Sequence, residues 1–155
     1  METNVYIVLK TTGHYEDSYT CPVKAFTSLD KACEYAEQQN AYYTELDRKY
    51  EEFGHNGEGL CNDLFERYLE TVNKKLYKKV RSDNDDVTDE EWDEYDERYE
   101  ELMNSKELME EYINSSTFTD KEIEAIRVYK EWGEVQDCGV MPYFAVYGQP
   151  IKIEE

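Results

Sequence analysis

Carboxylates crowd one stretch of this chain. In residues 83 to 101, DNDDVTDEEWDEYDERYEE, twelve of nineteen residues are Asp or Glu and Arg98 is the one base. Such a run could hold a divalent cation, supply an acid/base pair, or present anions where a partner expects phosphates. Cation binding can be checked against the calcium-loop template. Asp83, Asp85 and Glu94 fit its positions 1, 3 and 12, but Val87 and Thr88 fill positions 5 and 6, where a ligand and a Gly are needed. The template fails, which leaves weak adventitious Mg²⁺ or Ca²⁺ binding. A glycosidase-type pair needs two carboxyls converging in one pocket, and no spacing here brings that about.

The third chemistry fits the pattern. On a helix, Asp89, Asp93, Glu97 and Glu100 share a solvent face, as do Glu90, Glu94 and Glu101. Residues four apart rise about 6 Å along the axis, of the order of the phosphate spacing on an extended strand. A groove lined with Arg and Lys forks can grip such a face. The candidate partner-binding residues are therefore Asp85, Asp86, Asp89, Glu90, Asp93, Glu94, Glu97, Glu100 and Glu101. Solvation alone would explain an ordinary acidic helix. This density exceeds what solubility needs, and its self-repulsion costs stability.

Other motifs carry less. His14 and His55 are the two histidines, each near Gly in an expected loop. With Cys21 or Cys61 they could form a Cys-His site, but neither spacing supports it. Gly54-His55-Asn56-Gly57-Glu58-Gly59 lacks the Lys and Ser/Thr of a phosphate loop and reads as a flexible connector. Walker, GxSxG, HExxH and GxGxxG patterns are missing. The expectation is a protein that is not an enzyme, with no catalytic residue, metal or cofactor. Lys74, Lys75, Lys78, Lys79 and Arg81 could touch RNA. They suit better the end of a helix, where cations complement the dipole and can pair with the acidic helix.

Composition agrees with a folded acidic protein. The 155 residues carry 37 acids and 17 bases, a net charge of −20, and residues 83 to 114 hold 15 of those acids with 2 bases. That balance opposes direct contact with nucleic acid or anionic lipid and favours a cationic partner. Acidic disordered chains are poor in aromatics, whereas this one has 14%, including 15 Tyr. Cysteines at 21, 33, 61 and 138 form no CxxC pair and are expected as free thiols in a reducing compartment. METNVYIVLK lacks the features of a secretory signal, and no segment has the roughly 20 apolar residues of a membrane span. A cytoplasmic protein is expected.

The elements that must position the acids follow from periodicity. Val5–Leu9 and Val23–Phe26 read as strands of a hairpin with a long loop, Pro22 placing the second at a start or an edge. Thr27, Ser28 and Asp30 open a long helix faced by Leu29, Ala32, Cys33, Ala36, Tyr43, Leu46, Tyr50 and Phe53. A second helix follows from Leu60 to Val80. Thr88 with Glu91 forms a capping box for the acidic helix. Trp92, Tyr95, Tyr99, Leu102, Met109, Tyr112 and Ile113 supply its apolar stripe, more as core than as contact hot spots. Thr119 with Glu122 caps a last helix, which Gly133 stops. Two apolar runs, 143–147 and 151–153, close the chain. The expected fold is α+β and a single domain, 1–155. A small antiparallel sheet of about three strands, the N-terminal hairpin plus a C-terminal strand, packs with the long helix (1–53 and 136–155). An acidic helical subdomain (54–135) is inserted. Tyr42, Tyr43 and Tyr50 could support a homodimer.

The hairpin, the FTSLDKACEYAE helix start and the YFAVYGQPIKI ending resemble small hairpin-helix-strand proteins of bacteria and phages, a likeness that implies a fold core and no chemistry. In size, charge and the run DDVTDEEWDEYDERYEE, the chain also resembles DNA-mimic inhibitors of restriction, CRISPR and repair enzymes. That resemblance implies a phage or mobile-element anti-defence protein in a bacterial cytoplasm. Its partner would be a protein with a basic nucleic-acid-binding groove. The alternative is an acidic interaction adaptor, with homodimerisation open to it, that binds through an apolar or sheet-edge surface.

Overall fold

In the computed structural model, which describes residues 2–82 and 86–154, the chain is α+β, 64% helical and 19% strand. Two compact units are distinguished: Met1–Phe53 with Val128–Glu155, and Gly54–Arg127.

The first unit is built on β1 (Glu2–Thr12). It pairs antiparallel with β2 (Tyr19–Phe26), β3 (Tyr143–Val146) and β4 (Ile151–Glu154), so the sheet has four strands where about three were expected. The extra strand arises because Gly148 and Pro150 split the C-terminal apolar run into two four-residue pieces. β2 lies at the sheet edge with Pro22 inside it, and the register slips between Val8 and Leu9. A proline lacks the ladder N–H, which an edge tolerates.

Above the sheet runs α1 (Leu29–Glu52), started by Ser28, whose hydroxyl accepts from the Lys31 amide. Val8, Ala32, Ala36 and Phe144 form the core between them, with Tyr6, Phe26, Tyr35, Tyr43 and Val146 packed around it. Small Ala32 and Ala36 let the helix approach the pleat closely. Asn40 fixes α1 to β3: its amide donates to the Phe144 carbonyl and its oxygen accepts from the Phe144 amide, both at 2.8 Å. Tyr43 stacks on Phe144 and Tyr50 on Trp132, so both half-buried rings pack within the chain. Tyr42 stays half exposed and its hydroxyl meets Glu131.

Alternation along β1 places Tyr6 and Val8 toward α1, and Val5, Ile7 and Leu9 on the opposite face. Their partners there are Ile151, Ala25 and Ala145, with Pro22 also across from Leu9. Tyr143 and Ile153, across from Thr11 and Thr3, extend that face.

The second unit is helical: α2 (Gly57–Val72), α3 (Lys74–Ser82), α4 (Asp89–Met103), α5 (Lys106–Asn114) and the first half of α6 (Asp120–Val135). Cys61, Leu64, Phe65, Leu69, Leu76, Leu102 and Ile126 are its fully buried residues. The expected helix Leu60–Val80 is two helices. Asn73 leaves helical geometry (φ −151°, ψ 76°), and its side chain accepts from the Leu76 amide to start α3. The stripe from Trp92 to Ile113 is likewise broken, because Ser105 caps α5 through the Leu108 amide. Gly54 to Gly59 is not a loop: a short 3-10 turn at Gly54–Asn56 leads straight into α2. Gly133 does not stop α6, which continues to Val135. The Thr119–Glu122 capping box is present, with both hydrogen bonds formed.

Candidate functional site

The acidic run becomes α4, held at its start and from beneath. The Thr88 hydroxyl accepts from the Glu91 amide, and the Glu91 carboxylate accepts in return from the Thr88 amide. Asp89, Glu90 and Glu91 fill the first turn, where the helix dipole favours anions. Glu91 also receives Lys79 Nζ at 2.7 Å, tying α4 to α3. This lysine, beside the Thr88 amide, holds the Glu91 carboxyl below its ordinary range. Among the described residues, Lys79 is thus the member of the basic cluster that pairs with the acidic helix. Arg81 instead reaches Tyr77 and, at 3.7 Å, Glu66.

Beneath α4 lies Phe65, which meets Tyr95 edge-on with ring centres 4.9 Å apart and Tyr99 at 5.1 Å. Trp92 abuts Tyr95. Burial pushes both tyrosine hydroxyls up, which fits rings turned inward as core rather than outward as hot spots. Arg98 folds along the side of the helix, donating to Glu101 at 2.8 Å and lying 3.8 Å from Glu94. Glu101 also accepts from the Tyr68 hydroxyl, and these two donors lower its carboxyl while burial and Glu101 lift Tyr68 to about 12.

The expected contact residues therefore divide. Asp86, Asp89, Glu90, Asp93, Glu97 and Glu100 are exposed, and among the described residues none of the six has an ion pair. Glu94 and Glu101 are engaged by Arg98 and form the flank of the face rather than its centre. Asp85, with Asp83 of the calcium template, lies outside the described residues. Asp96 is exposed on the same helix and was missed, although its place in the helical period next to Tyr95 could have found it.

A concavity of about 490 Å³ in the first unit is lined by His14, Glu16, Asp17, Asp137 and Cys138. It brings His14 together with Cys138, a pairing the sequence did not raise, and with neither Cys21 nor Cys61, in keeping with their spacing. The reason is local. Gly13 turns at φ +91°, where a Cβ would sit 2.7 Å from the Asp17 carbonyl, and Cys138 turns at φ +52° between Asp137 and Val140. Asp137 raises the Cys138 thiol, the opposite of what an activated nucleophile needs. All four cysteines are free. Among the described residues, no group of three His, Cys, Asp or Glu is arranged to hold a metal ion.

No protein-family model, curated protein or solved structure matches this chain. Among the described residues, no helix is long and apolar enough to cross a membrane.

Proposed function

We propose that the chain is a non-enzymatic inhibitor that lays the outer face of α4 in a basic nucleic-acid-binding groove of another protein, a nuclease or a restriction- or CRISPR-type enzyme. The observation that carries this reading is the set of six exposed carboxylates, Asp86 to Glu100, that have no ion pair among the described residues, five of them on one helix secured by a capping box and by Phe65. A flexible acidic tail loses entropy when a groove orders it. A helix already held in place avoids that cost and keeps its charges in register. The setting favours a cationic partner over anionic DNA, RNA or lipid, since the unit Gly54–Arg127 carries 22 acids against 10 bases.

The test compares the intact chain with a variant carrying Asp89→Lys, Asp93→Lys, Glu97→Lys and Glu100→Lys, both used to capture proteins from a bacterial lysate. Nucleic-acid enzymes should be recovered by the native chain at low salt, released at high salt and displaced by double-stranded DNA. The variant should fold and capture none of them. Equal capture by both chains would reject the reading.

A second reading, an acidic adaptor binding through an apolar surface, is favoured by the uncharged sheet face opposite α1. Association of that kind should barely weaken with salt.

A further inference from the structure

The run Val5-Tyr6-Ile7-Val8-Leu9 is apolar at every position. A strand with one wet face alternates apolar and polar residues, whereas a continuous apolar run marks a strand covered on both faces. In its own unit, β1 is covered on one face, where Val8 packs beneath Ala32 and Ala36 of α1. The other face, built around Val5, Ile7 and Leu9, remains partly open, and Tyr143, Ile151 and Ile153 beside them are 61%, 46% and 49% exposed.

We infer that this open sheet face is the contact between two copies of the chain, packed sheet on sheet about a two-fold axis. Three features select a second copy. First, the face is uncharged from Thr3 to Thr11 and across its paired strands, while the strand charges Glu2, Lys10, Lys24 and Lys152 lie in the α1-side register. A chain of net charge −20 can meet itself only where carboxylates do not confront carboxylates. An uncharged surface also has nothing with which to select a charged partner. Second, the size suits a weak dimer. Nine residues along β1 by three strands give a footprint of roughly 30 Å by 14 Å. Two such faces together span roughly 840 Å², below the standard stable interface and in the size range of weak, transient contacts. Third, the edges are poor alternatives. β2 contains Pro22 and a register slip, and β3 and β4 have four residues each. All of these discourage strand addition. Two twisted sheets stacked about 10 Å apart, near 30° to one another, would complete the layer that β1 lacks.

Sedimentation equilibrium of the intact chain across a concentration series, at low and high salt, tests the inference. A monomer–dimer equilibrium is expected, and added salt should strengthen it by screening the mutual repulsion. The double variant Tyr143→Lys and Ile151→Lys, at exposed positions that spare the core, should keep its circular dichroism and weaken dimerisation by about tenfold or more. Because the added lysines reduce the net charge, loss of the dimer would report the charge placed on this face and not greater overall repulsion. Ile7→Lys at the centre serves as a second variant. A chain that stays monomeric at all concentrations, or a dimer indifferent to these lysines, would overturn the inference. So would slowed hydrogen exchange of the outward β2 amides on dimerisation, which means edge pairing. The four α4 reversals should leave the dimer intact, so this inference can fail or stand apart from the inhibitor reading.

Discussion

The outer face of α4 and the open face of the sheet meet water with opposite chemistry. The first is carboxylate after carboxylate over a hidden aromatic underside. The second carries no charge at all, although the chain that forms it has a net charge of −20. Acidity is thus segregated rather than spread, and each surface should answer salt with the opposite sign: α4 loses attraction for a basic groove, while the sheet face gains by screening. An averaged composition would assign both surfaces the same behaviour.

The sharpest way to break this contrast is to disorder α4 without touching its charge. Phe65→Ala removes the ring beneath Tyr95 and Tyr99 and should cost about 3–5 kcal/mol of stability. Denaturant unfolding measures the loss, and capture of a basic-groove protein should fall although every acid remains. Unchanged capture would mean that charge alone suffices, without a fixed array.

A smaller effect is expected at the helix start. Thr88→Ala deletes the capping-box hydroxyl and should cost about 1 kcal/mol, with faster amide exchange in the first turn of α4. The open sheet face should show no change.

Titration probes how α4 is held against α2 and α3. Tyr68 is raised to about 12, so folding is favoured while it stays neutral. That contribution is complete below the unfolded tyrosine value of about 10 and is lost as pH rises from there through about 12. Thermal melts across this window should be flatter for Tyr68→Phe, with a residual slope because burial also raises Tyr95 and Tyr99. The least effect is expected from Glu91→Gln. The native carboxyl is depressed, so its stabilisation is present above the unfolded glutamate value and lost as pH falls through the folded one. Melts of the variant in mild acid should show a weaker decline than the native chain.

Much of this architecture was legible because its signals are local. Ser28, Thr88 and Thr119 each mark a helix start with a side chain that bonds its own backbone. Trp92, Tyr95 and Tyr99 mark the buried side of α4 by spacing alone. The breaks at Asn73 and Ser105 were not legible, because the apolar period runs on across both and the capping side chains compete only once the flanking helices pack. Asn40 escaped notice for the same reason: its partner Phe144 is 104 residues away. Within the site, sequence spacing found the acidic face but could not tell Glu94 and Glu101 from their neighbours. Their difference depends on where Arg98 folds.

Carboxyl footprinting by carbodiimide labelling and mass spectrometry, with and without a captured basic-groove partner, tests the account most directly. Asp89, Asp93, Glu97 and Glu100 should lose labelling in the complex, while the exposed acids of α1, Glu34 and Glu37, keep theirs. Equal labelling of the four α4 residues in the free and bound states would contradict it.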